Sequence, residues 1–151
     1  MGVSDFGLRG YRAGDLEAMF RLDEVCFAEP FRFSRETMRR FVEARRARVV
    51  VAESDGELVG FCVVHVESVK VGYVVTLDVA PEWRRKGVAG VLMGAVEDQV
   101  RAAGSGAMVL HVFTGNDAAI RFYERTGYGL VGEDEDFYGD GVGALVYRKG
   151  L

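Results

Sequence analysis

The fold of this chain is decided by the stretch Val79-Ala80-Pro81-Glu82-Trp83-Arg84-Arg85-Lys86-Gly87-Val88-Ala89-Gly90. It predicts the end of a strand, a turn, and a small-residue loop that runs into an apolar helix. The first N–H groups of such a helix have no acceptor within the helix, and their partial positive charge suits a diphosphate. Small residues leave this backbone uncovered, and three neighbouring side chains add full positive charge, those of Arg84, Arg85 and Lys86. The loop therefore predicts a diphosphate-binding site.

The composition indicates one globular domain that covers residues 1–151. About half of the residues are apolar (49%), which is enough for a substantial core. The chain has two prolines, its glycines are scattered, and no linker or repeat is visible. The net charge of −4 argues against general binding of nucleic acid, because a phosphate backbone demands a basic face.

Cysteine content and hydropathy favour a reducing compartment. Cys26 and Cys62 are too isolated for a disulfide framework or a zinc site, and each lies in an apolar run. The N-terminus has no basic region followed by an apolar stretch, and no segment approaches the length of a membrane span. We therefore expect a soluble cytoplasmic protein that is not bound to a membrane, either a monomer or a homodimer.

The hydrophobic pattern predicts the element order β, α, α, β, β, β, α, β, α, β, β. The predicted strands cover about 8–12, 49–53, 58–69, 73–79, 108–113, 130–137 and 142–149. The four predicted helices run from Asp15 to about Phe27, from Ser34 to about Arg46, from the Gly87 loop to about Arg101, and from Asn116 to Gly127. The expected N-terminal caps are Asp15, Ser34 and Asn116. This alternation is typical of a mixed α/β sheet with helices on both faces.

A second motif lies on the fourth predicted helix, Asn116-x-x-Ala119-x-x-x-Tyr123-x-x-x-Gly127-Tyr128. Asn116 and Tyr123 are seven residues apart, which is two helical turns, so both address one face of the helix. Together with Arg84-x-x-Gly87-x-Ala89, this motif resembles the signatures of the GNAT superfamily of N-acetyltransferases. The element order is similar to that superfamily over the whole chain.

The resemblance implies the GNAT fold, a mixed central sheet flanked by about four helices, in which the fourth and fifth strands splay apart to form a cofactor cleft. It implies acetyl-CoA as cofactor, an amine as acceptor, direct transfer without a covalent enzyme intermediate, and no metal. The implied cofactor-binding residues are Leu77, Asp78 and Val79, whose backbone groups pair with the pantetheine arm, the loop residues Arg84, Arg85, Lys86, Gly87, Val88, Ala89 and Gly90, and Asn116 and Tyr123.

Tyr123 is the expected general acid, because the resemblance places it beside the thioester sulfur. A phenol with a pKa of about 10 is protonated at neutral pH, so it can donate a proton to a departing thiolate whose pKa lies near 8.5.

His111 and Tyr73 form the expected base side of the site. His111 lies on a predicted strand, on the same face as Val109 and Phe113. Bacterial ribosomal-protein N-terminal acetyltransferases are similar here but carry a general-base Glu in Leu-Glu-Val. The eukaryotic N-terminal acetyltransferase that accepts initiator methionine has Leu-His-Val and a Tyr in a Tyr-x-x-Thr-Leu strand, as this chain has in 110–112 and 73–77. Whether His111 or a water chain with Tyr73 is the general base stays open.

Reference pKa values favour an α-amine as the acceptor. An imidazole with a pKa of about 6.5 takes a proton from an α-ammonium, at roughly 8, more readily than from a lysine, at about 10.4, and this difference is worth about 3 kcal/mol. A pocket that shifts either group would change this balance.

Two aromatic loops are candidates for a peptide slot, by the same resemblance. Their residues are Phe27 and Phe31 between the first two helices, and Phe137 and Tyr138 between the last two strands. The acidic run 133–136 is expected to be solvated surface that attracts a cationic amine at long range.

The leading hypothesis is acetyl transfer from acetyl-CoA to the α-amino group of a protein or peptide N-terminus. A small amine, such as a polyamine, an amino acid or an antibiotic, is the alternative acceptor, because one fold serves many acceptors. An alternative of another class is a catalytically silent acyl-CoA-binding module, which would keep the Gly87 loop without acid and base groups. The identity of the acceptor and the physiological target cannot be read from the sequence.

Overall fold

The computed structural model describes residues 5–67 and 70–151. Over these residues the chain forms seven strands and four α-helices in the predicted order. The strands are β1 (Gly7–Gly10), β2 (Ala47–Ser54), β3 (Glu57–Val66), β4 (Val71–Val79), β5 (Ala107–Phe113), β6 (Gly129–Asp134) and β7 (Ala144–Gly150). The helices are α1 (Leu16–Cys26), α2 (Arg35–Glu43), α3 (Val88–Ala102) and α4 (Asp117–Arg125). The last two residues of the predicted strand 58–69 and the first four residues of the chain lie outside the described ranges.

The seven strands join one mixed sheet in the order β1-β2-β3-β4-β5-β7-β6. Neighbouring strands are antiparallel except β4 and β5, which are parallel. The predicted β2–β3 hairpin is confirmed, since Ser54 pairs with Glu57 across a two-residue turn. Asp55 and Gly56 in this turn both have positive φ, which matches the twist of the flanking strands.

Helices cover both faces of the sheet, as the sequence predicts. On one face α3 and α4 enclose the larger core, which includes Leu92, Val96 and Tyr123. On the other face α1 and α2 enclose a second core, which includes Met19 and Met38. The α3 helix approaches the sheet closely at Gly72, where an added Cβ would lie 2.7 Å from the Val100 side chain. The α/β fold with helices on both faces is confirmed.

β4 and β5 pair only over their first halves. The register joins Val71–Val74 to Ala107–Leu110 and stops there. Beyond this point β4 is paired with β3, and β5 is paired with β7, so a gap opens between the second halves of β4 and β5. The predicted splay of the fourth and fifth strands is confirmed.

A β-bulge in β4 stands at the point of separation. Val64 of β3 pairs with Val74 and the preceding Val63 pairs with Thr76, so Val75 is an extra residue in β4. A bulge bends its strand and increases the local twist. The bulge therefore gives a physical reason for β4 to turn away from β5 where it does.

The predicted ends of α2, β6 and β7 are wrong by two to three residues. The α2 helix begins after Ser34, whose hydroxyl accepts the Thr37 N–H as predicted, but it ends at Glu43 because Ala44 is extended. The last two strands are shorter than predicted, and residues 135–143 between them form a loop. In this loop the Asp136 side chain accepts the Gly141 N–H at 2.8 Å, and such a local bond competes with strand pairing.

The prediction that Asp15 caps the first helix is also wrong. Both oxygens of its carboxylate accept hydrogen bonds at 2.8 Å from the Arg9 guanidinium of β1, and one of them also accepts the Arg12 N–H. Arg9 holds the pKa of the Asp15 carboxyl below its usual value. A bidentate pair with a guanidinium gives the carboxylate two charge-assisted bonds, where a cap gives it one bond to a neutral N–H, so the ion pair determines where this side chain points.

A buried pair of carboxyl groups joins α1 to the end of β4. Asp23 is fully buried and Asp78 is 1% exposed, and the two carboxyl groups lie close enough to influence each other's pKa. The outer oxygens are held by a Phe33 N–H donated to Asp23 and a Thr76 hydroxyl donated to Asp78. Within residues 5–67 and 70–151, Asp23 Oδ1 and Asp78 Oδ2 have no hydrogen-bond donor, and we infer that the two carboxyl groups share one proton, which satisfies both oxygens. Burial, and then the neighbouring Asp23, raise the pKa of the Asp78 carboxyl well above its usual value.

We expect Asp78→Asn to stabilise the protein at neutral pH. Because the pKa of Asp78 is raised in the folded state, the free energy of unfolding falls as the pH rises above about 4, the pKa at which the unfolded chain loses this proton. The NH₂ group of an Asn side chain can donate a hydrogen bond to Asp23 and does not titrate. The substitution therefore removes the loss of stability above pH 4. Urea unfolding should give a higher free energy of unfolding for D78N than for wild type at pH 7, and a difference near zero at pH 4.

Asp140→Asn makes the same chemical change on an exposed loop residue and is the matched control. It should leave the pH dependence of stability unchanged. If D78N unfolds more easily than wild type at pH 7, the shared proton is refuted.

Candidate active site

The loop between β4 and α3 leaves the start of α3 open. Gly87 precedes the helix with φ of +84°, a left-handed conformation that glycine adopts without strain. The first helical bond runs from the Val91 N–H to the Gly87 carbonyl. The N–H groups of Val88, Ala89 and Gly90 precede that bond and have no acceptor within the helix. The geometry therefore provides the cluster of backbone donors that the sequence predicts.

The three basic side chains of this loop behave differently from one another. Arg84 bonds back to the protein, with Nε donating to the Val79 carbonyl at 3.2 Å and a guanidinium nitrogen 3.6 Å from Cys26 Sγ. Lys86 Nζ lies 5.3 Å from the centroid of the Trp83 ring. Arg85, Lys86 and Gly87 are all exposed, so positive charge lines the open end of α3. Trp83 and Cys26 are partners that the sequence did not indicate.

The end of β4 borders the gap between β4 and β5. Leu77 and Val79 pack toward the α3 face, whereas the carboxyl of Asp78 points to α1 on the opposite face. The side chain of Asp78 is therefore turned away from the cofactor cleft, and only main-chain groups of 77–79 can contribute there. The Val79 carbonyl already accepts hydrogen bonds from Arg84 and from Cys26 Sγ.

The α4 helix begins at the open end of β5. Asn116 caps it as predicted, with its side-chain oxygen accepting the Ala119 N–H at 3.2 Å. This bond uses the oxygen and leaves the side-chain NH₂ as a donor. Tyr123 follows two turns later and is 8% exposed, next to Tyr128 in the core. Burial raises the pKa of Tyr123, so its hydroxyl keeps its proton at neutral pH.

Tyr73 and His111 meet where β4 and β5 begin to separate. The Tyr73 hydroxyl oxygen lies 2.8 Å from His111 Nδ1. On the other side of the ring, Nε2 lies 2.7 Å from a carboxylate oxygen of Asp134. The Phe137 ring stacks on the imidazole, at 3.8 Å between centroids and 6° between planes. The sequence predicted the first contact as a pair and placed Asp134 on the solvated surface.

The proton positions in this row follow from its chemistry. Burial raises the pKa of Tyr73, so the phenol is protonated and donates to Nδ1. The Asp134 carboxylate can only accept, so Nε2 carries the imidazole proton. Neutral His111 is therefore the Nε2–H tautomer, with its basic nitrogen directed at the Tyr73 hydroxyl.

Aromatic rings wall the space beside this row. Phe31, from the loop between α1 and α2, lies 4.8 Å from Phe113 and 4.9 Å from Tyr138 between ring centroids. Tyr138 in turn contacts Phe137. The structure thus brings together three of the four predicted aromatic residues. Among the described residues, Phe27 makes no ring contact with the other three.

Two site residues were missed by the sequence reasoning, Phe113 and Asp134. Strand alternation already placed Phe113 on the face of His111, and that was the signal that could have found it. Asp134 lies in an acidic run of four residues, and its position depends on the register of three strands. Sequence pattern alone does not give that register.

The parts of the chain that the structure describes contain no group of three or more His, Cys, Asp or Glu side chains arranged to hold a metal ion. Over the same residues, every helix is too short or too polar to cross a bilayer.

Comparisons with known proteins agree with this geometry. The sequence model of the acetyltransferase (GNAT) family matches residues 16–128. An N-alpha-acetyltransferase from Sulfurisphaera tokodaii is 27% identical and covers 97% of this chain and 94% of its own length. The crystal structure of Ard1 from Thermoplasma volcanium has a TM-score of 0.91 at 24% identity, over 98% of this chain and 99% of that chain. Nourseothricin acetyltransferase has a TM-score of 0.81 at 28% identity, over 97% and 99%.

Because the family match spans most of the chain, the chain belongs to the acetyltransferase (GNAT) family. It is an N-acetyltransferase of the GNAT type, and acetyl-CoA is the acetyl donor that this family uses. The family and the enzyme class predicted from the two motifs are confirmed.

Proposed function

We propose that this protein acetylates the α-amino group of a protein or peptide N-terminus. The observation that carries this proposal is the hydrogen bond of 2.8 Å between Tyr73 and His111 Nδ1, at the point where β4 and β5 separate. It gives the acceptor side of the site a group that can take up a proton.

Acetyl-CoA supplies an acetyl thioester, so the enzyme must accept a proton from the amine and donate one to the departing sulfur. Tyr73 and His111 serve the first need. The Tyr73 oxygen accepts a proton from the amine, directly or through a water, while its own proton moves to His111 Nδ1. After both transfers Tyr73 is again a protonated phenol, and His111 has become an imidazolium. Because the pKa of Tyr73 is raised, a phenolate formed alone is unfavourable, and this concerted transfer avoids it.

Tyr123 serves the second need. Its position on α4 next to the gap between β4 and β5, and its raised pKa, support a role as the general acid. A phenol that stays protonated can donate to a thiolate with a pKa near 8.5.

The donors at the start of α3 fit the diphosphate of coenzyme A. Val88, Ala89 and Gly90 supply backbone N–H groups, and Arg84, Arg85 and Lys86 supply charge. The edge of β4 at Leu77, Asp78 and Val79 fits the amides of the pantetheine arm, through main-chain groups other than the Val79 carbonyl, which Arg84 and Cys26 already use. The free NH₂ of Asn116 fits a carbonyl of the same arm.

The acceptor side favours an extended chain end with an α-amine. An imidazole base removes a proton from an α-ammonium with an advantage of about 3 kcal/mol over lysine. Phe31, Phe113, Phe137 and Tyr138 form a wall that suits the first side chains of a peptide. The name of the relative from Sulfurisphaera tokodaii, an N-alpha-acetyltransferase, supports the same acceptor.

A small amine is the second candidate acceptor. It is supported by the likeness to nourseothricin acetyltransferase, at 28% identity over 97% of this chain. A catalytically silent acyl-CoA module is disfavoured, because the chain holds a protonated phenol on one side of the gap and a Tyr–His pair on the other.

A panel of acceptors tests the proposal. Peptides that begin with Met, Ala or Ser, each with a free α-amine and blocked lysines, are compared with the same peptides carrying a blocked N-terminus and free lysines. Spermidine and a streptothricin antibiotic complete the panel. We expect kcat/KM for the free α-amine peptides to exceed that for lysine or small amines at least tenfold, since the difference in amine pKa is worth about 3 kcal/mol. Faster acetylation of spermidine or the antibiotic would establish the second candidate instead.

Two variants of Asn116 separate its cap from its proposed contact with acetyl-CoA. Asn116→Ala removes both the cap oxygen and the NH₂ donor, and it should lower the free energy of unfolding by about 1 kcal/mol. Asn116→Asp keeps the cap and removes the donor, so its stability should match wild type. Steady-state kinetics should show a higher KM for acetyl-CoA in both variants. A wild-type KM in N116D would remove Asn116 from the cofactor site.

A further inference from the structure

His111 is held on three sides, and only one of the three contacts belongs to the Tyr–His pair described above. Asp134 Oδ2 lies 2.7 Å from Nε2, and the Phe137 ring lies flat against the imidazole. The His111 side chain is 15% exposed and that of Asp134 is 55% exposed. The carboxylate therefore reaches the ring from the solvent side and closes a row of three groups, Tyr73, His111 and Asp134.

The sheet brings Asp134 to this place through two rows of paired residues. Phe113, Ala144 and Asp134 lie opposite one another across β5, β7 and β6. His111 lies two residues along, in the next row on the same face, with Val146 and Gly132. Residues opposite each other in an antiparallel pair share a face of the sheet. Ala144 of β7 carries only a methyl group, so the Asp134 carboxylate can cross β7 beside it and reach the imidazole.

We propose that Asp134 is a positioning residue that acts through His111: it fixes the Nε2–H tautomer and stabilises the imidazolium formed when a proton arrives at Nδ1. This inference rests on the proposed function, because it assigns His111 the task of taking a proton through Tyr73. A carboxylate has no proton to donate at neutral pH, so it bonds only an imidazole that carries hydrogen on Nε2. That leaves Nδ1 as the acceptor for Tyr73.

The proton balance gives Asp134 a definite effect on the reaction. One N–H bond of the amine breaks and an O–H bond forms at Tyr73, while the original Tyr73 O–H bond breaks and an N–H bond forms at His111 Nδ1. The ring then carries a positive charge, with a negative charge 2.7 Å from its other nitrogen. Opposite charge at this distance favours the imidazolium, and the effect is moderated by solvent because Asp134 is half exposed.

Four titratable groups bear on the site from the elements packed around it. Tyr73 of β4 and Asp134 of β6 contact the ring directly. Tyr138 of the loop between β6 and β7, and Glu67 at the end of β3, act at longer range on Tyr73.

The test compares Asp134→Asn with Glu133→Gln. Both variants remove one negative charge from β6, but Glu133 lies opposite Leu145 and therefore on the other face from Asp134. We expect kcat of D134N to fall about tenfold, a modest loss because water partly replaces an exposed carboxylate. The KM for acetyl-CoA should be unchanged. The acidic limb of kcat/KM should move to lower pH in D134N, and E133Q should match wild type within about twofold.

A double-mutant cycle shows whether Asp134 acts through His111. In a His111→Ala background, adding D134N should produce no further loss of kcat. A further tenfold loss in that background would show that Asp134 acts elsewhere and would overturn the inference.

Nitrogen NMR of the imidazoles provides a readout that does not depend on activity. At neutral pH we expect His111 to be protonated on Nε2 and not on Nδ1 in wild type, and to lose this single tautomer in Asp134→Ala, which offers the ring no acceptor. The chain has only one other histidine, His65, whose Nε2 donates to the Phe41 carbonyl at 2.9 Å and serves as an internal reference.

These outcomes separate the inference from the proposed function. A wild-type His111 protonated on Nδ1, an Asp134→Ala variant with unchanged tautomer, or a D134N variant with unchanged acidic limb refutes the role of Asp134. If H111A retains wild-type kcat, the Tyr–His pair is not the base and the proposed mechanism fails, whatever the tautomer, while the acceptor panel still decides whether an α-amine is the substrate. Should D134N fail to fold, the wild-type tautomer and Asp134→Glu, which retains the carboxylate, still decide the question.

Discussion

The separation of β4 from β5 after Val74 and Leu110 is the constraint on which the rest of the site depends. Had these parallel strands stayed paired to their ends, the edge of β4 at 77–79 would be used by hydrogen bonds within the sheet. Because they part, that edge, the start of α3 and the start of α4 all face one gap. The bulge at Val75 is the local feature of the backbone that accompanies the parting.

Two phenols, the half-buried Tyr73 and the buried Tyr123, stand on opposite sides of this gap and have opposite roles in the proposed mechanism. Burial raises the pKa of both Tyr73 and Tyr123, so both hold their protons at neutral pH. Their partners differ. Tyr73 is bonded to an imidazole that can take its proton, whereas the hydroxyl of Tyr123 makes no hydrogen bond to any residue in 5–67 or 70–151. Tyr73 can therefore relay a proton to His111, whereas Tyr123 can donate its own proton.

The connections behind the site explain how it is kept in place. The carboxyl groups of Asp23 and Asp78 connect α1 to the end of strand β4. The Phe33 N–H donates to Asp23 and so connects the loop before α2 to the same pair. Arg84 joins the loop between β4 and α3 to the Val79 carbonyl and to Cys26 on α1. The proposed cofactor side and the proposed acceptor side are thus both tied to α1, by the buried carboxyl pair and by the exposed contacts of Arg84.

Much of this arrangement could be predicted from the sequence, because the decisive signals are local. Glycine and small residues at 87–90, the cap at Asn116 and its two-turn spacing to Tyr123 depend only on nearby residues. Asp15 and Asp134 could not be predicted. The sequence pattern around Asp15 is that of a helix cap, but its carboxylate is bound by Arg9 of β1. The pattern around Asp134 is that of solvated surface, but its carboxylate contacts His111 across β7. Arg9 lies only six residues before Asp15, but a helix-cap pattern does not include it, whereas Asp134 reaches His111 only through the register of three strands.

The proposal that α3 amides and the β4 edge hold the cofactor is tested most directly by an NMR titration of the ¹⁵N-labelled protein with coenzyme A. We expect saturable shifts of the backbone amide signals of Val88, Ala89 and Gly90, together with those of Leu77, Asp78 and Val79. The amides at the start of α1 should stay unchanged. Saturable binding that leaves the signals of 88–90 in place would contradict this proposal.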